Sequence, residues 1–94
     1  MTEIIHHNNE KSGDFEALFD GVHAGLMTYT WAGNDKFIID HTEVEQAFGG
    51  KGIAKDMVFA AVAFARKHQF KIIPLCPFAK ATFQRNSDIQ DVLA

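Results

Sequence analysis

Phe48-Gly49-Gly50-Lys51-Gly52-Ile53-Ala54 puts three glycines within four positions, at the point where the pattern of the chain changes period. Downstream, apolar residues fall at Ile53, Met57 and Ala61 and again at Val58, Val62 and Ala65, the three- and four-residue spacing of one helix face. That spacing predicts a helix from Gly52 to about His68. Phe59, Ala60, Ala63 and Phe64 widen the apolar stripe, so a sheet is expected to cover most of the helix. Lys55, Asp56, Arg66, Lys67 and His68 form the polar remainder, with cations in the last turn where the helix dipole favours them. Upstream, Lys36–Val44 reads as a strand. Beyond the helix, Lys71-Ile72-Ile73-Pro74-Leu75 is an apolar run of strand length, and two strands joined through a helix can pair in parallel.

Working towards the N-terminus, Val22 to Trp31 is rich in β-branched and aromatic residues and reads as another long strand. Phe15, Ala17 and Phe19 alternate with polar neighbours, the period of a half-buried strand, and Asp20-Gly21 is a hairpin signal between the two. Asn8 to Gly13 and Ala32 to Asp35 are turn clusters, and Ile4-Ile5 marks a short edge strand. Towards the C-terminus, Pro77 to Arg85 reads as a second short helix with Phe78, Ala81 and Phe83 for packing, and the tail around Ile89 and Val92 as a final docked turn. Trp31, Phe37, Phe59 and Phe64 are expected in the core. The expected fold is α+β, a mostly antiparallel sheet backed by helices, with residues 1–94 forming one domain.

Composition narrows the classes of function. The chain is 47% hydrophobic and 22% charged, which argues for a folded core rather than disorder. Its formal charge of −3, without a Lys/Arg block, makes nucleic acid and anionic membranes poor partners. No apolar run approaches the roughly 20 residues of a membrane helix. The first residues lack the basic start and apolar stretch of an export signal, and a single cysteine suits a reducing compartment, so a cytoplasmic location is expected. The histidines have no spacing that suggests a metal site.

The glycine-rich turn carries the first chemical expectation. Glycines free the backbone to take positive φ and let a ligand approach, while the first N–H groups of the following helix have no internal acceptors. An anion such as a phosphate would be held there, with Lys51 or Lys55 adding charge; a plain loop that merely starts the helix is the alternative. Neither the Gly-x-x-x-x-Gly-Lys-Ser/Thr nor the Gly-x-Gly-x-x-Gly nucleotide fingerprint is present.

Gly49-Gly50-Lys51-Gly52-Ile53-Ala54, after a strand and opening a long helix, resembles the acetyl-coenzyme A pyrophosphate loop of the GNAT acetyltransferase superfamily. Gly52 and Ala54 match the last two fixed positions of its Arg/Gln-x-x-Gly-x-Gly/Ala pattern, and Gly49 departs from the first. Asp40-His41-Thr42-Glu43-Val44 before the loop, Pro74-Leu75-Cys76-Pro77-Phe78 after the helix and Phe83-Gln84-Arg85-Asn86-Ser87 near the end are similar to the very small, stand-alone members of that superfamily. The resemblance spans about residue 4 to the C-terminus. It implies a minimal acyl-CoA N-acyltransferase fold that binds acetyl-CoA and acetylates an unidentified amine acceptor. It also implies a cofactor site built from Val44, Gly49, Gly50, Lys51, Gly52, Ile53, Ala54 and Lys55, joined by Arg85 and Asn86 near the phosphates or adenine. For Arg85 and Asn86 the alternative is a helix end that fixes the tail.

Cys76 is the sole thiol. With Pro77 suited to the first helical position, Cys76 would be the N-cap, where the dipole favours thiolate. The resemblance gives this cysteine a catalytic role, as acetyl-accepting nucleophile or as proton donor to the departing coenzyme A thiolate; a small buried hydrophobe is the competing reading. Strict alternation puts Ile39, His41 and Glu43 on one face of their strand and Asp40, Thr42 and Val44 on the other. His41 is then either the base that deprotonates an amine or a residue that holds the strand's shape. Two further functions stay open beside catalysis: a coenzyme A-binding module without turnover, and an interaction domain whose glycine loop binds nothing.

Overall fold

Tight turns fold the chain between Thr2 and Val44 into four consecutive strands. A computed structural model describes residues 2–94. It gives β1 over Thr2–Asn8, β2 over Ser12–Phe19, β3 over Val22–Trp31 and β4 over Lys36–Val44, each antiparallel to the one before. Asn9 begins the first turn by accepting the N–H groups of Lys11 and Ser12 on its side-chain oxygen, both at 3.0 Å, and so replaces the strand ladder where it ends. Asp20 and Gly21 both take left-handed backbone angles, the conformation that a two-residue hairpin needs to match the twist of its strands. Helix α1 spans Ile53–His68, and β5, Lys71–Pro74, then pairs in parallel with β4, so the sheet order is β1-β2-β3-β4-β5. Helix α2, Pro77–Arg85, and a 3-10 turn over Ser87–Val92 complete the chain.

One core lies between the helices and a single face of the sheet. Phe15, Met27, Tyr29, Phe37 and Ile39 from the strands meet Ile53, Met57, Val58, Ala61 and Val62 from α1. Ala79 and Phe83 of α2 and Ile89 and Val92 of the tail join the same cluster. The stripe that buries α1 is narrower than the periodicity predicts: Phe59, Ala60 and Phe64 are half-covered and Ala63 is exposed, because they lie at the flank of the helix where the sheet ends.

The alternation expected for β4 fails. Thr28 pairs with His41 and Tyr29 with Ile39, which leaves Asp40 as an extra residue in a β-bulge. Ile39 is buried against the helices; beyond the bulge Thr42 and Val44 turn to that side, while Asp40, His41 and Glu43 are exposed on the other. A one-residue insertion shifts a period-two pattern by half a cycle, so every side chain after Asp40 changes face.

A half-buried histidine makes the fold acid-sensitive. His6 stacks on Phe15 with 4.2 Å between ring centroids, and its Nε2 shares a 2.6 Å hydrogen bond with the fully buried Tyr29 hydroxyl. Burial holds the His6 pKa below 6.5, with His7 and His68 acting the same way and Asp14 opposing them. The unfolded chain therefore takes up this proton more readily than the folded one. Stability is whole above pH 6.5 and is lost as pH falls below it. Tm is expected to fall between about pH 7 and pH 5, and His6→Gln, which keeps a hydrogen-bonding side chain but does not titrate, is expected to flatten that fall. Scanning calorimetry across this range checks it.

Candidate active site

The site begins where β4 and β5 part. Their pairing stops at Ile39 and Pro74, and residues 40–44 run on with β3 on one side alone. After β4 the chain makes a 3-10 turn over Gln46–Phe48 and then the glycine stretch. Gly50 and Gly52 have φ of 80° and 75°, backbone that favours glycine, and a Cβ on either would meet nothing within 4 Å. Gly52 caps α1 without a side-chain hydrogen bond, and the first intrahelical bond runs from the Asp56 N–H to the Gly52 carbonyl at 3.0 Å. The N–H groups of Gly52, Ile53, Ala54 and Lys55 are therefore the unsatisfied donors at the positive end of a sixteen-residue helix.

These donors face a cleft of about 460 Å³. Val44, Gly49, Gly50, Gly52, Ile53, Ala54 and Lys55 line it on the β4–α1 side, and Arg85 and Asn86 at the end of α2 line it on the other, so folding brings together residues forty positions apart. Among the described residues neither Lys55 nor Arg85 carries an ion pair; Lys55 Nζ lies 5.3 Å from the centre of the Phe59 ring. Bare N–H groups with two cations suit a polyanion. Lys51 departs from the expected arrangement. Its Nζ lies 5.0 Å from the centre of the Phe19 ring on β2, and it does not line the cleft.

Three cleft residues escape a reading of the sequence: Phe48, Phe78 and Thr82. Phe78 is 56% exposed, although helical spacing marks it as a packing residue. The signal that could have found it is position: as the second residue of a helix that starts beside the loop, it faces the loop rather than the core. Thr82 bonds back to the Phe78 carbonyl at 3.0 Å, and Asn86 donates to the Thr82 carbonyl at 2.8 Å, closing the end of α2.

Cys76 is the N-cap of α2, with Pro77 in the first turn, and is buried, with 5% of its surface exposed. Its burial pushes the thiol up. The Thr42 hydroxyl and the N–H groups of Ala79, Phe78 and Thr42 pull harder in the other direction, so the thiol sits below its ordinary pKa. None of these closes a full side-chain cap on the helix; they act as aligned dipoles around the sulphur. His41 is separated from Cys76 by the sheet. It lies on the open face, with Nε2 3.9 Å from a Glu43 carboxylate oxygen, and both side chains are about two-thirds exposed. Among the described residues no group of three His, Cys, Asp or Glu side chains is placed to hold a metal ion, and no helix is long and apolar enough to cross a membrane.

Comparison with known proteins fits this geometry. Residues 14–92 match the family model of the GCN5-related N-acetyltransferases. Protein NATD1 of Xenopus tropicalis is 29% identical over 80 residues, which is 84% of this chain and 73% of that protein. The solution structure of a GCN5-like protein from Staphylococcus aureus is 32% identical, with a TM-score of 0.71 across 98% of this chain and 87% of the other. The ribosomal-protein-alanine N-acetyltransferase of Brucella melitensis shares the fold at the same TM-score and 20% identity, over 82% of this chain; the match spans 62% of that enzyme's length. By its sequence from the third residue of β2 to the C-terminal turn, and by its fold, the chain belongs to the GCN5-related N-acetyltransferase family.

Proposed function

We propose that this protein binds acetyl-CoA in the cleft between β4, α1 and α2 and transfers the acetyl group to an amine. The observation that carries the reading is the set of four unsatisfied N–H groups at Gly52 to Lys55, beside two glycines whose missing Cβ atoms leave open space. In this reading those donors hold the diphosphate, and Lys55 and Arg85 add charge. Asn86 sits near the same end of the cleft, and Val44 marks where the free edge of β4 begins to guide the pantetheine arm. When bound, acetyl-CoA supplies an activated acyl thioester. A backbone N–H on that edge would polarise its carbonyl.

Cys76 is the candidate nucleophile. The dipoles around its sulphur favour thiolate, the reactive form, at the fork of the two strands. His41, with Glu43 beside it, is the candidate base on the open face of the sheet, from which an amine acceptor would approach. Holding amine and thioester together supplies most of the rate, and proton transfer adds to it.

Acetyl-CoA at a hundred times its dissociation constant is expected to stabilise the folded protein by about 2.7 kcal/mol, a clear rise in Tm. Intact mass after incubation with acetyl-CoA is expected to show the gain of one acetyl group, absent from Cys76→Ala. No adduct together with preserved turnover assigns Cys76 the proton-donor role instead. A second reading, cofactor binding without turnover, is favoured by the open face of the sheet, which no helix among the described residues covers to shape an acceptor pocket. Release of free coenzyme A thiol with a panel of amines separates the two, and no thermal shift rejects both.

A further inference from the structure

We propose that two copies of this protein associate through β1, whose free edge pairs antiparallel with the same edge of a second copy to make one continuous sheet. The two edges of the sheet are finished differently. β5 is four residues long, ends on Pro74, and is covered on its outer side by the C-terminal residues: Leu93 bridges Ile72, and the Ala94 N–H donates to the Ile72 carbonyl at 3.0 Å. β1 runs for seven residues in unbroken register with β2 and has no described strand on its other side. It contains no proline, lysine or arginine, and its ladder carries no bulge, the devices by which edge strands usually refuse a neighbour. The Asn9 N–H donates to the Ser12 carbonyl at 2.9 Å. Alternation from that bond gives the odd-numbered residues of β1 to β2 and turns the backbone N–H and C=O groups of Ile4 and His6 outward. This edge lies across the sheet from the cleft, so the association is independent of what the cleft binds.

The sequence of β1 is complementary to itself, which selects a second copy over a foreign strand. With a two-fold axis at Ile5, Ile5 stands opposite its own copy, Glu3 opposite His7, and Ile4 opposite His6. Glu3, Ile5 and His7 share the open face of the sheet, so an acidic side chain meets a basic one on each side of an apolar pair. Asp14 takes His7 Nδ1 at 2.8 Å, which leaves the other ring nitrogen for the Glu3 carboxylate of the second copy. Moving the axis by one residue sets Ile5 against Glu3 or against His7, and the match is lost. On the helix side, a groove of about 420 Å³ runs between β1 and α1, with Ile4, His6, Ala60, Ala63 and Phe64 in its walls. Here the apolar stripe of α1 outruns the sheet: Ala63 is exposed, and Ala60 and Phe64 are half-covered. Opposed residues of an antiparallel pair share a face, so both copies of α1 lie on the same side of the joined sheet with these flanks towards each other. The second copy then supplies the cover that five strands do not reach.

Sedimentation velocity of the whole protein without acetyl-CoA is expected to show twice the mass of one chain at about 100 μM and a single chain well below about 1 μM, the behaviour of a micromolar association. Over the same range, hydrogen exchange at the Ile4 and His6 amides is expected to slow at least about tenfold as the dimer forms. Ile5→Lys, which sets two like charges at the axis on a half-exposed position, is expected to weaken the dimer at least about tenfold and to leave the circular dichroism of the chain unchanged. Glu3→Lys alone is expected to weaken it too. Glu3→Lys combined with His7→Glu is expected to restore it, because the opposite charges then match with their places exchanged. A parent protein that stays a single chain at every concentration overturns the proposal and leaves the edge for a strand of a different protein. A dimer that Ile5→Lys leaves intact, or that gives no protection at Ile4 and His6, overturns it by placing the contact on another surface. Failure of the exchanged pair to recover overturns it as well, since the register at Ile5 would then be wrong. Should Ile5→Lys not fold, the exchange measurement on the parent protein decides.

Discussion

Gly52→Asp is expected to weaken acetyl-CoA binding by at least about 100-fold while leaving the protein folded. Two effects add. The carboxylate would lie beside the four N–H groups to which the proposed function assigns the diphosphate and would itself accept from them. It would also repel the diphosphate, at about 1 kcal/mol per charge pair in water and about 4 kcal/mol in partly shielded surroundings, for charges about 4 Å apart. The fold survives because a Cβ at this position meets nothing within 4 Å, and aspartate tolerates left-handed backbone better than most residues. Gly52→Asn, of the same shape without the charge, is expected to lose only about tenfold, which isolates the electrostatic part. Titration calorimetry measures both. Unchanged affinity in Gly52→Asp would mean that the diphosphate lies elsewhere.

Gly13→Ala is expected to cost a large share of the protein's stability. Gly13 pairs with Tyr29 across β2 and β3. A Cβ there would fall on the Tyr29 ring and hydroxyl and 2.5 Å from the His7 carbonyl. Neither obstacle can yield cheaply: Tyr29 is wholly buried with its hydroxyl held by His6, and the His7 carbonyl is backbone. Overpacking of this kind costs about 3 kcal/mol, a fall in Tm of about 15 °C for a domain of this size. Gly33→Ala is the control. Its φ of 92° strains an alanine, but a Cβ there has no neighbour within 4 Å, so a loss of about 1 kcal/mol is expected. Equal falls in Tm would show that collision with Tyr29 does not set the cost at Gly13.

Much of the architecture was legible because its signals are local. The turn residues at Asp20-Gly21 and Ala32 to Asp35 delimit β3 and β4, and the change from period two to three-and-four spacing after Gly52 locates α1. The parallel partner of β4 follows from a helix lying between the strands. Two local readings of the site proved incomplete for a common reason. Lys51 belongs to the glycine-rich segment, yet its ammonium lies over Phe19 and does not line the cleft. His41 and Cys76 are separate candidates in the sequence, and the fold places them on opposite sides of the sheet.

From its residues alone this chain determines the number and order of its elements, the helix whose bare N-terminus is offered to a ligand, and the N-cap position of its one thiol, since each depends on neighbours within a few positions. Only the folded structure decides which side chains meet. The single extra residue at Asp40 has no mark in the sequence, because a bulge is set by how β4 pairs with β3. Through a period-two pattern it moves Thr42 to the helix side of the sheet and His41 into the open. The approach of α2 to the glycine loop is likewise a matter of packing, and it alone places Arg85 across the cleft from Lys55.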